Sequence, residues 1–177
     1  MRWVSHTLIS GSVCALWQPA LLPAAVLGAT APDWLEWVGR NHLPLAHANH
    51  RGATHNLLGW LLVTALGFSV QWAWGAHLAA FGLGGILHWL CDSLTVTGAP
   101  LTWWSQHRST LFGGRMRQGS KTERAIAIGV ALFCGWLAWP QVESPDRFSP
   151  FFMPWRQHYQ AGLIDAAEWR RHRYSPF

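Results

Sequence analysis

The chain reads as three long apolar blocks separated by polar stretches that carry glycine and proline. The first block runs from Val4 to Ala31 and is interrupted by Pro19 and Pro23. Proline lacks a backbone donor and its ring clashes with the preceding turn. The block therefore predicts two short helices, about 4–16 and 20–30, joined by a turn at "WQP". The second block, 55–91, is far longer than the ~20 residues of one bilayer crossing. Its least apolar point, "QWAWGAH" at 71–77, predicts a break between helices at about 55–73 and 76–92. A last apolar helix is expected at about 122–139, ended by Pro140. Residues 32–54 and 93–122 read as irregular loops. The tail, 141–177, is polar and basic, with a short amphipathic helix around 160–172. The expected fold is all-α: an integral membrane helical bundle of four to five apolar helices arranged as hairpins over residues 1–140, followed by the tail.

Composition strengthens that expectation. Half of the residues are hydrophobic and only 12% are charged, against roughly 25% in a soluble domain. The chain holds 14 Trp, a residue that favours the water–bilayer boundary. The net charge of +5 comes from basic residues in loops and tail, which suit anionic lipid headgroups. Membrane lipid is thus the expected partner. No zinc-finger or RNA-binding signature is present, so direct nucleic-acid binding is not expected. The positive-inside rule places 32–54 and 93–122 in the cytoplasm of a multi-pass protein. Arg2, the first apolar run and "ATA" at 29–31 also resemble a secretory signal. The prolines inside that run and the apolar blocks beyond it argue against this reading. Cys14, Cys91 and Cys134 are widely spaced in apolar surroundings. They read as small buried hydrophobes and not as a disulfide framework.

The hairpins would bring His6, Asp33, His50, His55, His88 and Asp92 to one end of the bundle. Ionisable groups at the ends of apolar helices are costly to bury unless paired or bound to a metal. Imidazole and carboxylate are ligands for zinc, manganese or iron. "HWLCD" spaces His88 and Asp92 by four, one face of a helix. Each residue also has a plainer reading. His42, His47, His77 and His107 suit a membrane boundary, and His158 and His172 a solvated tail. His88 and Asp92 alone make a structural hydrogen bond, and Asp33 after Pro32 a helix end. Thr54 is a candidate N-cap for a helix starting at His55, and Gly52 a turn residue.

The order "SHTLISG", "LGATAPDW", "HRGATHNLLG", "LHWLCDSLTVTGAPLTWW" and "GSKTE" resembles the YdjM-like family of bacterial inner-membrane metal-dependent hydrolases, over about residues 3–140. The resemblance implies a helical inner-membrane protein with a divalent metal site, zinc foremost, with manganese or iron as alternatives. It implies metal ligands at His6, Asp33, His50, His55, His88 and Asp92, with Arg51, Gly52, Thr54, Thr95, Gly98 and Glu123 at the other motif positions. The family pattern "PDxD" reads "PDWL" here, with Leu35 in the second acidic position. One acidic ligand or a base is then missing, and Glu36 need not replace it.

The expected function is hydrolysis of a phosphoester or lipid-linked substrate. Arg51 would hold a phosphate oxygen by a forked contact. Asp92 or Glu123 would act as general base or fix a histidine tautomer. The rival reading is a non-catalytic membrane interaction or regulatory protein whose His/Asp cluster is structural. A metal or proton transporter is disfavoured, because the charged positions lie at helix ends and not at mid-helix.

Overall fold

The computed structural model describes residues 1–42, 52–70, 74–105, 107–142 and 155–173. The first apolar block folds as two helices, α1 (Trp3–Trp17) and α2 (Leu22–His42). A single 3-10 turn, Pro19–Leu21, joins them where "WQP" predicts the break. The second block also divides, into α3 (Leu57–Ser69) and α4 (Gly75–Ser93). The last apolar run is α5 (Lys121–Val142). The tail contributes α6 (Trp155–Gln160) and α7 (Ala166–His172), which pack on each other through the stacked rings of Tyr159 and Trp169.

Three local expectations are corrected. α5 does not end before Pro140 but runs on to Val142. Residues 32–42 are helical and not irregular: α2 continues through a buried Pro32 for ten more residues. Proline's fixed φ suits a helix even though its missing donor does not, and packing of α2 along α4 supplies the rest. Thr54 does not cap α3. The cap is Asn56, whose side chain accepts from the Gly59 N–H at 2.6 Å. Thr54 turns its hydroxyl to the His55 ring instead.

The expected integral membrane bundle is also corrected. Among the described residues no helix is long and apolar enough to cross a membrane. The reason lies in how the apolar count is distributed. The second block is long, but α3 takes only 13 residues of it, about 20 Å of helix against a hydrocarbon core of ~30 Å. α1 has 15 residues. The longer helices carry polar groups: Asp33, Glu36 and Arg40 on α2, His77, His88 and Asp92 on α4, Lys121, Glu123 and Arg124 at the start of α5.

α4 is the centre of the molecule, packed along α2 on one side and α3 on the other, while α1 leans on α2 and α5. The contacts are close because glycine makes them so. A Cβ on Gly28 of α2 would sit 1.8 Å from the Phe81 carbonyl oxygen, and one on Gly84 of α4 2.1 Å from that of Ala25. Past α4 the chain forms a small knot that seals the end of the bundle. β1 (Ala99–Pro100) pairs antiparallel with β2 (Arg108–Ser109). Gly98, at φ 65°, makes the turn into it. The Trp89 indole donates to the Pro100 carbonyl at 2.8 Å, and the Leu58 N–H to that of Leu101 at 2.9 Å.

Candidate metal centre

At the end where α1 and α2 approach α4, three buried histidines meet two aspartates. α1 supplies His6, α2 Asp33, the 3-10 turn Ala53–His55 supplies His55, and α4 supplies His88 and Asp92. The His6 and His88 rings stack with centroids 3.8 Å apart and planes 12° apart. His55 meets His88 edge-on at 5.0 Å. Asp92 lies 3.6 Å from His6 Nε2 and 3.4 Å from His88 Nε2. Asp33 Oδ1 lies 3.1 Å from His55 Nε2 and 3.9 Å from His88 Nε2. His6, His88 and Asp92 form one group whose ligand atoms lie within 4.8 Å of one another, and Asp33, His55 and His88 a second.

Charge and proton placement suit ligation. Burial, reinforced by the neighbouring His88, lowers the pKa of His6 to about 4. Burial also lowers that of His55. Both rings are therefore neutral at pH 7, the form that binds metals. Burial pushes the two aspartates up, but the histidines beside them, His55 hydrogen-bonded to Asp33 and His6 and His88 close to Asp92, more than offset it, and both carboxyls end below their usual range. His88 Nδ1 lies 2.6 Å from the Ala29 carbonyl oxygen, which can only accept. The proton is thereby held on Nδ1, leaving Nε2 with its lone pair toward the cluster. Both ring nitrogens of His6 and Nε2 of His88 are buried without a hydrogen-bond partner among the described residues. Such atoms are rare in folded proteins and call for an explanation. A cation held by one of the two groups would supply one, and the donor set of imidazole and carboxylate matches zinc, manganese or iron. Cys91, next to Asp92, takes no part: burial pushes its thiol up to about 12, and it packs with Ile9 and Met116 in the core.

The sequence-predicted residues thus divide. His6, Asp33, His55, His88 and Asp92 come together; Asp92 also accepts from the Met1 amino group. His50 and Arg51, with His47, lie outside the described residues. Glu123 stands apart from the cluster. It is fully buried at the start of α5 and accepts from the Ser5 hydroxyl at 2.6 Å, the Arg2 N–H at 2.8 Å and the Gly119 N–H at 2.6 Å. Thr95 and Gly98 serve the backbone. The Thr95 hydroxyl donates to the Asp92 carbonyl at 2.7 Å, and the Gly98 N–H to the Thr95 carbonyl at 3.1 Å. Together they end the helix that carries the ligands. One residue was undervalued. Glu36 is buried, with Oε2 3.4 Å from His55 Nδ1 and Oε1 2.6 Å from Arg40. Its signal was the spacing Asp33, Glu36, Arg40, one face of a helix, hidden by the expectation of a loop.

Asp33 and Glu36 also line an open cavity of about 460 Å³, whose other walls include Arg2, Trp3, Trp37, Arg40 and Gln118. Arg2 and Arg40 thus line the same cavity as Asp33 and Glu36.

Comparison with known proteins agrees with the motif order. The chain is 30% identical over 132 residues to the inner membrane protein YdjM of Escherichia coli (strain K12), covering 66% of this chain and 66% of that protein. The protein of the same name from Shigella flexneri matches to the same extent. No solved structure matches the chain. The model of the family described as YdjM inner membrane protein matches residues 1–143, and the chain belongs to that family.

Proposed function

We propose that the chain is a metal-dependent hydrolase held at the bacterial inner membrane, acting on a phosphoester of a lipid or lipid-linked molecule. The observation that carries this reading is the set of buried, unpartnered imidazole nitrogens on His6 and His88, facing ionised carboxylates beside an open cavity. His6, His88 and Asp92, with Asp33 and His55 grouped around the same His88, would hold the ion, and a divalent cation bound there would supply Lewis acidity and a more acidic water. Asp33, whose side chain is 23% exposed and lines the cavity, is the aspartate of the cluster that a substrate in the cavity can reach. Asp92 is enclosed by His6, His88 and the Met1 amino group, and suits a ligand better than a base. Arg2 and Arg40, which line the cavity, are the cations that would receive phosphate oxygens. His55 presents Nε2 to Asp33, and Nδ1 to the Thr54 hydroxyl at 3.0 Å with the Glu36 carboxylate behind at 3.4 Å, contacts that would orient a ligating ring.

The test is metal per mole of purified chain, with turnover of an aryl phosphodiester. The wild-type chain is expected to retain a divalent metal and to lose turnover on chelation. His55→Ala and His88→Ala are each expected to lose at least about tenfold in metal affinity with helical content unchanged by circular dichroism. Wild-type metal content in both variants removes the shared site. Bound metal with no turnover of any phosphoester overturns the hydrolase reading and leaves a structural metal cluster.

A further inference from the structure

The knot that seals the bundle, residues 94–122, carries Arg108, Arg115, Arg117 and Lys121 and no Asp or Glu. The acid that follows it, Glu123, is fully buried and bound to the Ser5 hydroxyl and two backbone donors. The charge that the knot presents is therefore all of one sign. It also presents large apolar side chains: Trp103 and Trp104 are more than half exposed, and Phe112 is 87% exposed. We propose that the turn Leu111–Gly114 anchors the chain to an anionic bilayer, with Phe112 entering the headgroup layer and Arg115 meeting a lipid phosphate beside it.

Phe112 carries the inference. With Gly113 it forms the centre of a tight turn, closed by the Gly114 N–H donating to the Leu111 carbonyl at 3.0 Å. Both central residues have positive φ, 51° and 73°. Such turns favour Asn, Asp or Gly at the first central position, because left-handed backbone crowds the Cβ of any other residue. Phe112 is the one non-glycine residue at positive φ among the described residues, and its ring gains no burial in return. Residues strained in this way persist where the surroundings hold them, and they gather at functional sites. The surroundings do hold this turn. The Leu111 N–H donates to the carbonyl of Ser93, at the end of α4, at 2.7 Å. Arg115 folds back on the turn, with Nε 4.0 Å from the Cβ position of Gly113. An apolar ring fixed outward beside a guanidinium fits a bilayer boundary, where each Lys or Arg gains attraction from anionic lipid and Trp sits at headgroup level. A second copy of this chain is a poor occupant, since two cationic knots repel. The family's description as an inner membrane protein favours lipid over nucleic acid. Gln118, next to Arg117, also lines the open cavity that Asp33 and Glu36 share, so the anchor and the cavity belong to one end of the molecule. The anchor rests on the membrane half of the proposed function and not on the hydrolase half.

The test is flotation of the purified full chain with phosphatidylglycerol vesicles and with phosphatidylcholine vesicles. The wild type is expected to prefer phosphatidylglycerol, with the preference shrinking at high salt. Phe112→Asn should bind both lipids about tenfold more weakly. It should also melt no lower than the wild type, because asparagine suits the turn. Arg115→Gln combined with Arg117→Gln should lose at least about tenfold on phosphatidylglycerol alone. Metal content should match the wild type in both variants, since none of these residues belongs to the ligand groups. Wild-type flotation by Phe112→Asn, or a clear fall in its melting temperature, overturns the anchor and leaves the membrane reading standing. Binding of a short RNA with the same sensitivity to Phe112→Asn assigns the turn to nucleic acid and overturns the anchor too. A wild type that floats with neither lipid overturns the anchor and the membrane reading together. Flotation as expected, in a chain without metal or turnover, overturns the hydrolase reading alone.

Discussion

His88 gains its chemistry from a backbone carbonyl. With Nδ1 held by the Ala29 oxygen, only Nε2 is left for a ligand, so His88 cannot bridge two ions through its ring, and the two overlapping groups that share it meet at one nitrogen. Glu123 shows the opposite case, a carboxylate with every partner supplied. Burial raises its pKa, but the hydrogen bonds from Ser5, Arg2 and Gly119 more than offset this and the net shift is downward. Because the folded pKa lies below the unfolded value of about 4.5, Glu123 adds stability that is fully present above that pH and is lost as pH falls through the lower folded value. Glu123→Gln is therefore expected to lower stability near neutrality by about 2 kcal/mol. The gap between variant and wild type should narrow below about pH 4.5. Urea melts between pH 3 and 7 would show it, and a gap that stays constant across the range would contradict the assignment.

At the scale of elements, sequence patterning located the breaks better than the ends. Pro19 and the aromatic point before Gly75 each divide a block as expected, because both signals are local. The passage of α2 through Pro32 was not legible, since proline's cost is visible in sequence and the compensating packing against α4 is not. That one miss hid Glu36; the four-residue spacing made His88 and Asp92 legible as a pair, while the hairpin arrangement and the family resemblance brought His6, Asp33 and His55 to them. Glycine tells a similar story: composition counts them all alike, yet only some hold helices together. Gly28→Ala and Gly84→Ala each drive a Cβ into backbone of the neighbouring helix. Each should destabilise the fold by about 3 kcal/mol or more. Gly129, on α5, has nothing within 4 Å of its Cβ position. There alanine should stabilise by up to about 1 kcal/mol, through helix propensity alone. Thermal melting of the three variants checks the contrast, and equal melting points for Gly84→Ala and Gly129→Ala would show that α2 and α4 do not meet so closely.

For the whole molecule, apolar composition and membrane crossing have to be separated. No described helix is long and apolar enough to cross, yet the surface keeps large apolar side chains. On α5, Ile128, Leu132 and Trp136 follow a four-residue spacing with Phe133 beside them, and all four are more than half exposed. Leu62, Leu66 and Phe68 are similarly exposed on α3. Apolar stretches of this kind mark contact with a partner or a membrane. The family's description as an inner membrane protein favours lipid. Burying a side chain of this size stabilises by roughly 1.5–3 kcal/mol, so three together are ample to hold a chain at a bilayer surface. The triple variant Leu132→Gln, Phe133→Gln, Trp136→Gln is accordingly expected to lower partitioning onto phosphatidylglycerol vesicles by at least about tenfold. Its metal content should not change, because the three side chains are exposed and α5 contributes no residue to the ligand groups. Vesicle flotation with metal analysis of the same samples reads both quantities. Undiminished flotation would move the contact to another face, with the exposed side chains of α3 as the next to replace.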